Sequence, residues 1–107
     1  GLASSSYSKE QLSKLSQNNP AQKTKAGKKY VIKGNNIKQI YKQFRNNNFE
    51  IINKRKNQSV ILRNKETNET VIFRKSNSGG YQKYDSITFV KTTGDNNKKD
   101  TTIFFTD

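Results

Sequence analysis

Apolar residues recur along this chain with two different spacings. In residues 36–47, Ile37, Ile40, Tyr41 and Phe44 fall at i, i+3, i+4 and i+7, the one-sided stripe of an amphipathic helix. Asn35 or Asn36 can cap its start, and Asn46-Asn47-Asn48 ends it. Lys38, Lys42 and Arg45 lie off the stripe, and Tyr41 and Phe44 read as core. Upstream, Ser8-Lys9-Glu10-Gln11 matches a capping box with Ser8 as N-cap. Leu12 and Leu15 follow, so a short helix is expected over about residues 8–17, stopped ahead of Pro20.

From Phe49 onward the period drops to two. Phe49–Asn53, Ser59–Arg63, Thr70–Lys75, Ser86–Lys91 and Thr101–Thr106 are β-branched or aromatic runs between polar turns, the pattern of short strands. Lys65–Glu69 and Gly94–Asn97 are short joins, which favour antiparallel neighbours. Residues 76–85 form a longer loop around Gly79-Gly80, and Tyr30-Val31-Ile32 is a further extended segment. The expected class is α+β, with N-terminal helices packed on a four- to five-stranded antiparallel sheet.

Alternation then sorts the strands into two faces. Val60/Leu62, Val71/Phe73, Ile87/Phe89 and Ile103/Phe105 make one apolar face, fit to lie under the 36–47 helix. The other shows Ser59/Ile61/Arg63, Thr70/Ile72/Arg74, Ser86/Thr88/Val90 and Thr102/Phe104/Thr106. That mixed surface is either a solvated sheet face or a site for an anionic ligand.

Leu, Ile, Val and Phe total 23 of 107 residues, and only Leu2, Leu12 and Leu15 precede residue 30. Residues 1–28 therefore read as an arm with a short helix and a basic linker, and 29–107 as the compact domain. The core is small, and a formal net charge of +13 adds self-repulsion. A polyanionic or acidic partner is expected to stabilise the fold.

The charge is uneven. Residues 1–60 hold 13 basic and 2 acidic groups, residues 61–107 hold 8 and 6. There is no His, Cys, Trp or Met. Thiol nucleophiles, a Ser–His–Asp triad, His-based acid/base chemistry and the usual structural zinc sites are excluded. No carboxylates carry metal-site spacing, so neither a metal nor another cofactor is expected. No apolar run is long enough for a membrane span. The start at Gly1-Leu2-Ala3, without Met, suggests a piece processed or excised from a longer protein, or a cloning remnant at Gly1.

Lys23, Lys25, Lys28, Lys29 and Lys33, then Lys54-Arg55-Lys56, offer phosphate contacts with little acid nearby. Tyr30, Tyr41, Tyr81, Tyr84 and Phe104 can stack on unpaired bases. A binding module for nucleic acid needs only these. Cleaving RNA without a metal needs little more, because the substrate's own 2′-OH attacks the phosphorus. The protein must remove that proton, stabilise the phosphorane and protonate the leaving oxygen. Arg, Lys, Tyr and Thr can divide that work.

The order of two helices and then antiparallel strands, in a basic chain of this size, resembles the barnase/EndoU/colicin/RelE-type ribonuclease fold. That fold recurs in C-terminal toxin domains of bacterial contact-dependent inhibition and polymorphic toxin systems. The resemblance covers residues 8–107 and is architectural. It implies a metal-independent endonuclease toxin cleaving tRNA to a 2′,3′-cyclic phosphate. It further implies delivery from a larger secreted or surface protein into a target-cell cytoplasm, and a tightly bound acidic immunity protein. By position, Arg63, Arg74, Lys75, Tyr84 and Thr102 match as catalytic candidates. Residues 36–75 are also similar to the helix–three-strand start of HicA-type toxins, which bind RNA. Ser59-Val60 stands where that family has its catalytic His.

Overall fold

The computed structural model describes residues 8–16, 22–24, 27–34, 36–76, 84–93 and 96–106, without the side chains of 22–24, 92–93 and 96–97. Two helices, α1 (Lys9–Leu15) and α2 (Ile37–Asn46), lie among seven strands. The strands are β1 (Gln22–Thr24), β2 (Gly27–Lys33), β3 (Phe49–Arg55), β4 (Ser59–Asn64), β5 (Thr70–Lys75), β6 (Tyr84–Thr93) and β7 (Asn96–Thr106). The class is α+β. Six of these strands have six residues or more and β1 has three.

They form one sheet in the order β1-β2-β7-β6-β5-β4-β3. From β3 to β7 it is an antiparallel meander, as the short joins require. The sheet is larger than the four to five strands expected. The Tyr30-Val31-Ile32 segment belongs to β2, which joins β7 in parallel and places Tyr30 opposite Ile103 and Ile32 opposite Phe105. A parallel neighbour must come from elsewhere in the chain, and here α2 and the meander lie between β2 and β7. Residues 22–24, read from sequence as linker, pair with 27–29.

Both helices start where their caps lie. The Ser8 hydroxyl accepts from the Gln11 N–H at 3.2 Å. Asn36 precedes α2 and its carbonyl accepts from Gln39 and Ile40, without a side-chain cap. Three turn asparagines take left-handed backbone: Asn48 (φ 68°) after α2, Asn57 (φ 61°) between β3 and β4, and Asn68 (φ 66°) between β4 and β5. Asn tolerates that region better than other side chains. Local geometry therefore accounts for three of the 14 asparagines in the chain.

The core lies between α2 and one sheet face. Ile37, Ile40 and Phe44 meet Val60, Leu62, Val71, Phe73, Ile87, Ile103 and Phe105, all buried, as alternation predicts. Each large side chain fully removed from water contributes about 1.5–3 kcal/mol. Helix α1 belongs to this body rather than to a loose arm. Leu12 is 0% exposed, and the Lys9 ammonium pairs with the Asp100 carboxylate of β7. Buried Asn64 ties the β4–β5 turn to the end of α2. Its Oδ1 accepts from Glu66 and Thr67 N–H at 2.9 and 3.2 Å, and its Nδ2 donates to the Asn47 carbonyl at 3.3 Å. No helix among the described residues is long and apolar enough to cross a membrane.

Candidate nucleic-acid interface

Neither helix covers the second face of the sheet. Ladder pairing lines up one row of residues across six strands on it: Arg55, Ser59, Arg74, Ser86, Phe104 and Val31. At sheet spacing the row is about 24 Å long. A parallel row carries Asn53, Ile61, Ile72, Thr88, Thr102 and Lys29. The apolar groups thus fall in two pairs, Ile61–Ile72 on β4–β5 and Phe104–Val31 on β7–β2, with hydroxyls and cations around them.

Phe104 is the centre of this surface. The Arg74 guanidinium carbon lies 5.4 Å from its ring centroid and the Lys29 ammonium 5.9 Å. Arg74 comes from two strands away on one side, Lys29 from the adjacent strand on the other. An aromatic face attracts cations through its quadrupole, so the ring gathers two charges that would otherwise repel. Beside it the Thr88 and Thr102 hydroxyls meet at 3.1 Å across the β6–β7 pair. Ser86, under this cluster, is 2% exposed.

Arg74 also carries a bidentate ion pair. Its Nε donates to Asp85 Oδ1 at 2.7 Å and its Nη2 to Asp85 Oδ2 at 3.0 Å. The carboxylate holds the guanidinium above its ordinary pKa, with burial opposing. Asp85 reaches it because the β5–β6 register slips there: Arg74 faces Ser86, Lys75 faces Tyr84, and Asp85 is the extra residue of a bulge.

The sheet divides the catalytic candidates. Arg74 and Thr102 lie together on the open face with Phe104 and Lys29. Arg63 shares that face but stands four residues from Arg74 in ladder terms, about 13 Å along the strands. Its guanidinium donates to the Asn68 side-chain oxygen. Lys75 and Tyr84 are paired at the other face. Tyr84 starts β6 instead of sitting in a loop, and its ring stacks on Tyr41 of α2 at 5.2 Å and meets Phe73 edge-on at 5.5 Å. Burial, and then Tyr41, push its pKa up to about 12. It is a packing residue on the far side from Arg74, so the five catalytic candidates do not form one site.

The cationic candidates divide as well. Lys29, Lys33 and Arg55 share the open face, with Lys33 opposite Thr106. Lys28 and Lys54 alternate to the helix side, opposite Thr101 and Val60, and Lys56 is exposed in the β3–β4 turn. Lys23 lies in β1, with its side chain outside the description. Lys25, Tyr81 and Gly79-Gly80 lie outside the described residues.

Sequence reasoning missed Asp85, because only the bulge brings an acid from the supposed loop to the Arg74 fork. It placed Thr88 on the open face but had no signal that its hydroxyl meets that of Thr102. Among the described residues no group of three or more His, Cys, Asp or Glu can hold a metal ion. A cleft of about 520 Å³ lies elsewhere, between the start of α1, the end of α2 and the β4–β5 turn. It does not adjoin the Phe104 cluster. Comparison with known protein families, with curated proteins and with solved structures finds no match for the chain.

Proposed function

We propose that this protein binds single-stranded RNA across the open face of its sheet. The observation that carries the reading is the convergence of Arg74 and Lys29 on the ring of Phe104, four strands along the row that starts at Arg55. Unpaired bases can use the aromatic ring and the Ile61–Ile72 pair, and phosphates the cations, the combination by which single strands are held. A protein of this net charge gains affinity for any polyanion, so the test must separate this surface from bulk charge. Titrating labelled single-stranded RNA into the wild type and the Phe104→Ala variant does so. Equal affinities would overturn the reading.

A second reading adds cleavage, making the protein a metal-independent ribonuclease toxin with tRNA as substrate. It is favoured by the Arg74 guanidinium and the Lys29 ammonium both lying against Phe104, with the Thr88–Thr102 hydroxyl pair on the same face. The fork suits the added charge on a phosphorane, the ammonium can protonate the leaving 5′-oxygen, and a threonine hydroxyl can orient the attacking 2′-OH, whose proton passes to solvent water. No cofactor enters that scheme, and an acidic immunity protein would be its natural counterpart. Incubation of the folded protein with total tRNA in EDTA decides it, with Arg74→Ala as the inactive control. Intact tRNA would leave binding alone.

A further inference from the structure

Among the described residues, Arg74 is the one cation of the open face whose guanidinium is held by two hydrogen bonds to a single carboxylate and also set against an aromatic ring. The two contacts use different parts of the group. Asp85 takes the edge formed by Nε and Nη2. The guanidinium lies over Phe104. That leaves the end formed by Nη1 and the second hydrogen of Nη2, which makes no hydrogen bond to a described residue. A guanidinium offers five donors in a fixed fork, so one carboxylate on its side edge does not exhaust it.

The cost of leaving such a side chain unheld is entropic. Arg is rich in rotamers, and ordering it on binding draws on the affinity. The side chain of Arg74 is 54% exposed and that of Asp85 is 31% exposed, so as a source of fold stability the pair is worth little. The bulge that delivers Asp85 to it is nonetheless a local departure from regular pairing, of the kind used to re-aim a side chain.

The geometry points to Asp85 as a positioning residue: it fixes Arg74 across β6 against Phe104, so that the Nη1 end of the guanidinium is presented to a phosphate of a single-stranded nucleic acid. This rests on the RNA-binding reading above. It also runs against the general electrostatics, because removing an acid from a cationic surface should by itself strengthen binding to a polyanion.

The test compares Asp85→Ala with Glu66→Gln, which makes the same change of charge in the exposed β4–β5 turn. Each full-length variant is titrated with a labelled single-stranded RNA over a range of salt. Glu66→Gln should bind as tightly as wild type or slightly tighter. Asp85→Ala should bind about two- to tenfold more weakly, the cost of ordering one freed side chain. Its salt slope should fall by about one phosphate contact, which a purely structural role for Asp85 would not produce. In an Arg74→Ala background the weakening by Asp85→Ala should vanish, leaving only the slight effect of Glu66→Gln, and in the presence of Arg74, Asp85→Glu should recover part of the affinity. Asp85→Asn serves in the same comparison if the alanine variant does not fold. Tighter binding by the Asp85 variants, matching Glu66→Gln, would overturn the positioning role while leaving RNA binding intact. Absence of RNA binding by the wild type would overturn both.

Discussion

Tyr84 stacks on Tyr41 at 5.2 Å between ring centroids, on the side of the sheet opposite Arg74. A tyrosine in that place holds α2 to β6 and cannot reach a phosphate bound over Phe104. Tyr84→Phe should therefore leave RNA binding unchanged, whereas Tyr84→Ala should destabilise the fold by about 2 kcal/mol through lost packing and aromatic contact. Binding titrations and chemical denaturation of the two variants check this. Loss of RNA binding in a stably folded Tyr84→Phe would contradict the placement.

The same burial has a pH signature. The Tyr84 hydroxyl is raised from an ordinary value of 10.0 to about 12. A group whose pKa is higher folded than unfolded gives its full stabilisation below the unfolded value and loses it as pH rises through the folded one. Stability should decline between about pH 10 and 12, more steeply in wild type than in Tyr84→Phe. Spectrophotometric titration of tyrosinate should show one late-titrating ring that this variant lacks.

Helix α1 is held by two contacts of very different worth. Leu12→Ala should cost about 2–4 kcal/mol, since that side chain is wholly buried. Lys9→Ala should cost below about 1 kcal/mol, because both partners of its ion pair are about a third exposed. The hydrogen bond from Lys9 holds Asp100 below the ordinary carboxylate range. The contribution of the pair is present above that range and is lost as pH falls through the lowered value. Acid unfolding of wild type and Asp100→Asn, followed by circular dichroism, should converge at the lowest pH.

Gly27 opens β2 at φ +100°, and a Cβ there would stand 2.4 Å from the Asp100 carbonyl oxygen of β7. Backbone cannot yield as a flexible side chain can. Gly27→Ala should lower stability by more than about 1–2 kcal/mol, the cost of the left-handed conformation alone. Hydrogen exchange should show the loss concentrated where β2 meets β7. An unchanged melting temperature would be the contrary result.

The cluster at Phe104 predicts which basic residues matter. Lys29→Ala and Arg74→Ala should each weaken single-stranded RNA binding and reduce its salt slope by about one contact. Phe104→Ala should cost about 1–3 kcal/mol of binding. Lys28→Ala and Lys54→Ala, on the helix side, should show only the weak effect of net charge. Parallel titrations at two salt concentrations separate these groups.

Residue alternation alone made the two faces of the sheet legible. Val60, Leu62, Val71, Phe73, Ile87 and Ile103 are buried, and Arg63, Arg74, Thr102 and Phe104 lie opposite, because side-chain period is a local property of an extended chain. The α2 stripe and the Ser8 cap are local in the same sense. The basic character was equally plain, since charge is additive. Tertiary structure alone decided which residues meet. The parallel seat of β2 beside β7 carries Lys29 to Phe104, the bulge at Asp85 brings an acid to Arg74, and β5–β6 pairing puts Lys75 beside Tyr84 on the far face. Each depends on register between segments distant in sequence, which is set by the packing of the whole sheet rather than by any short pattern along the chain.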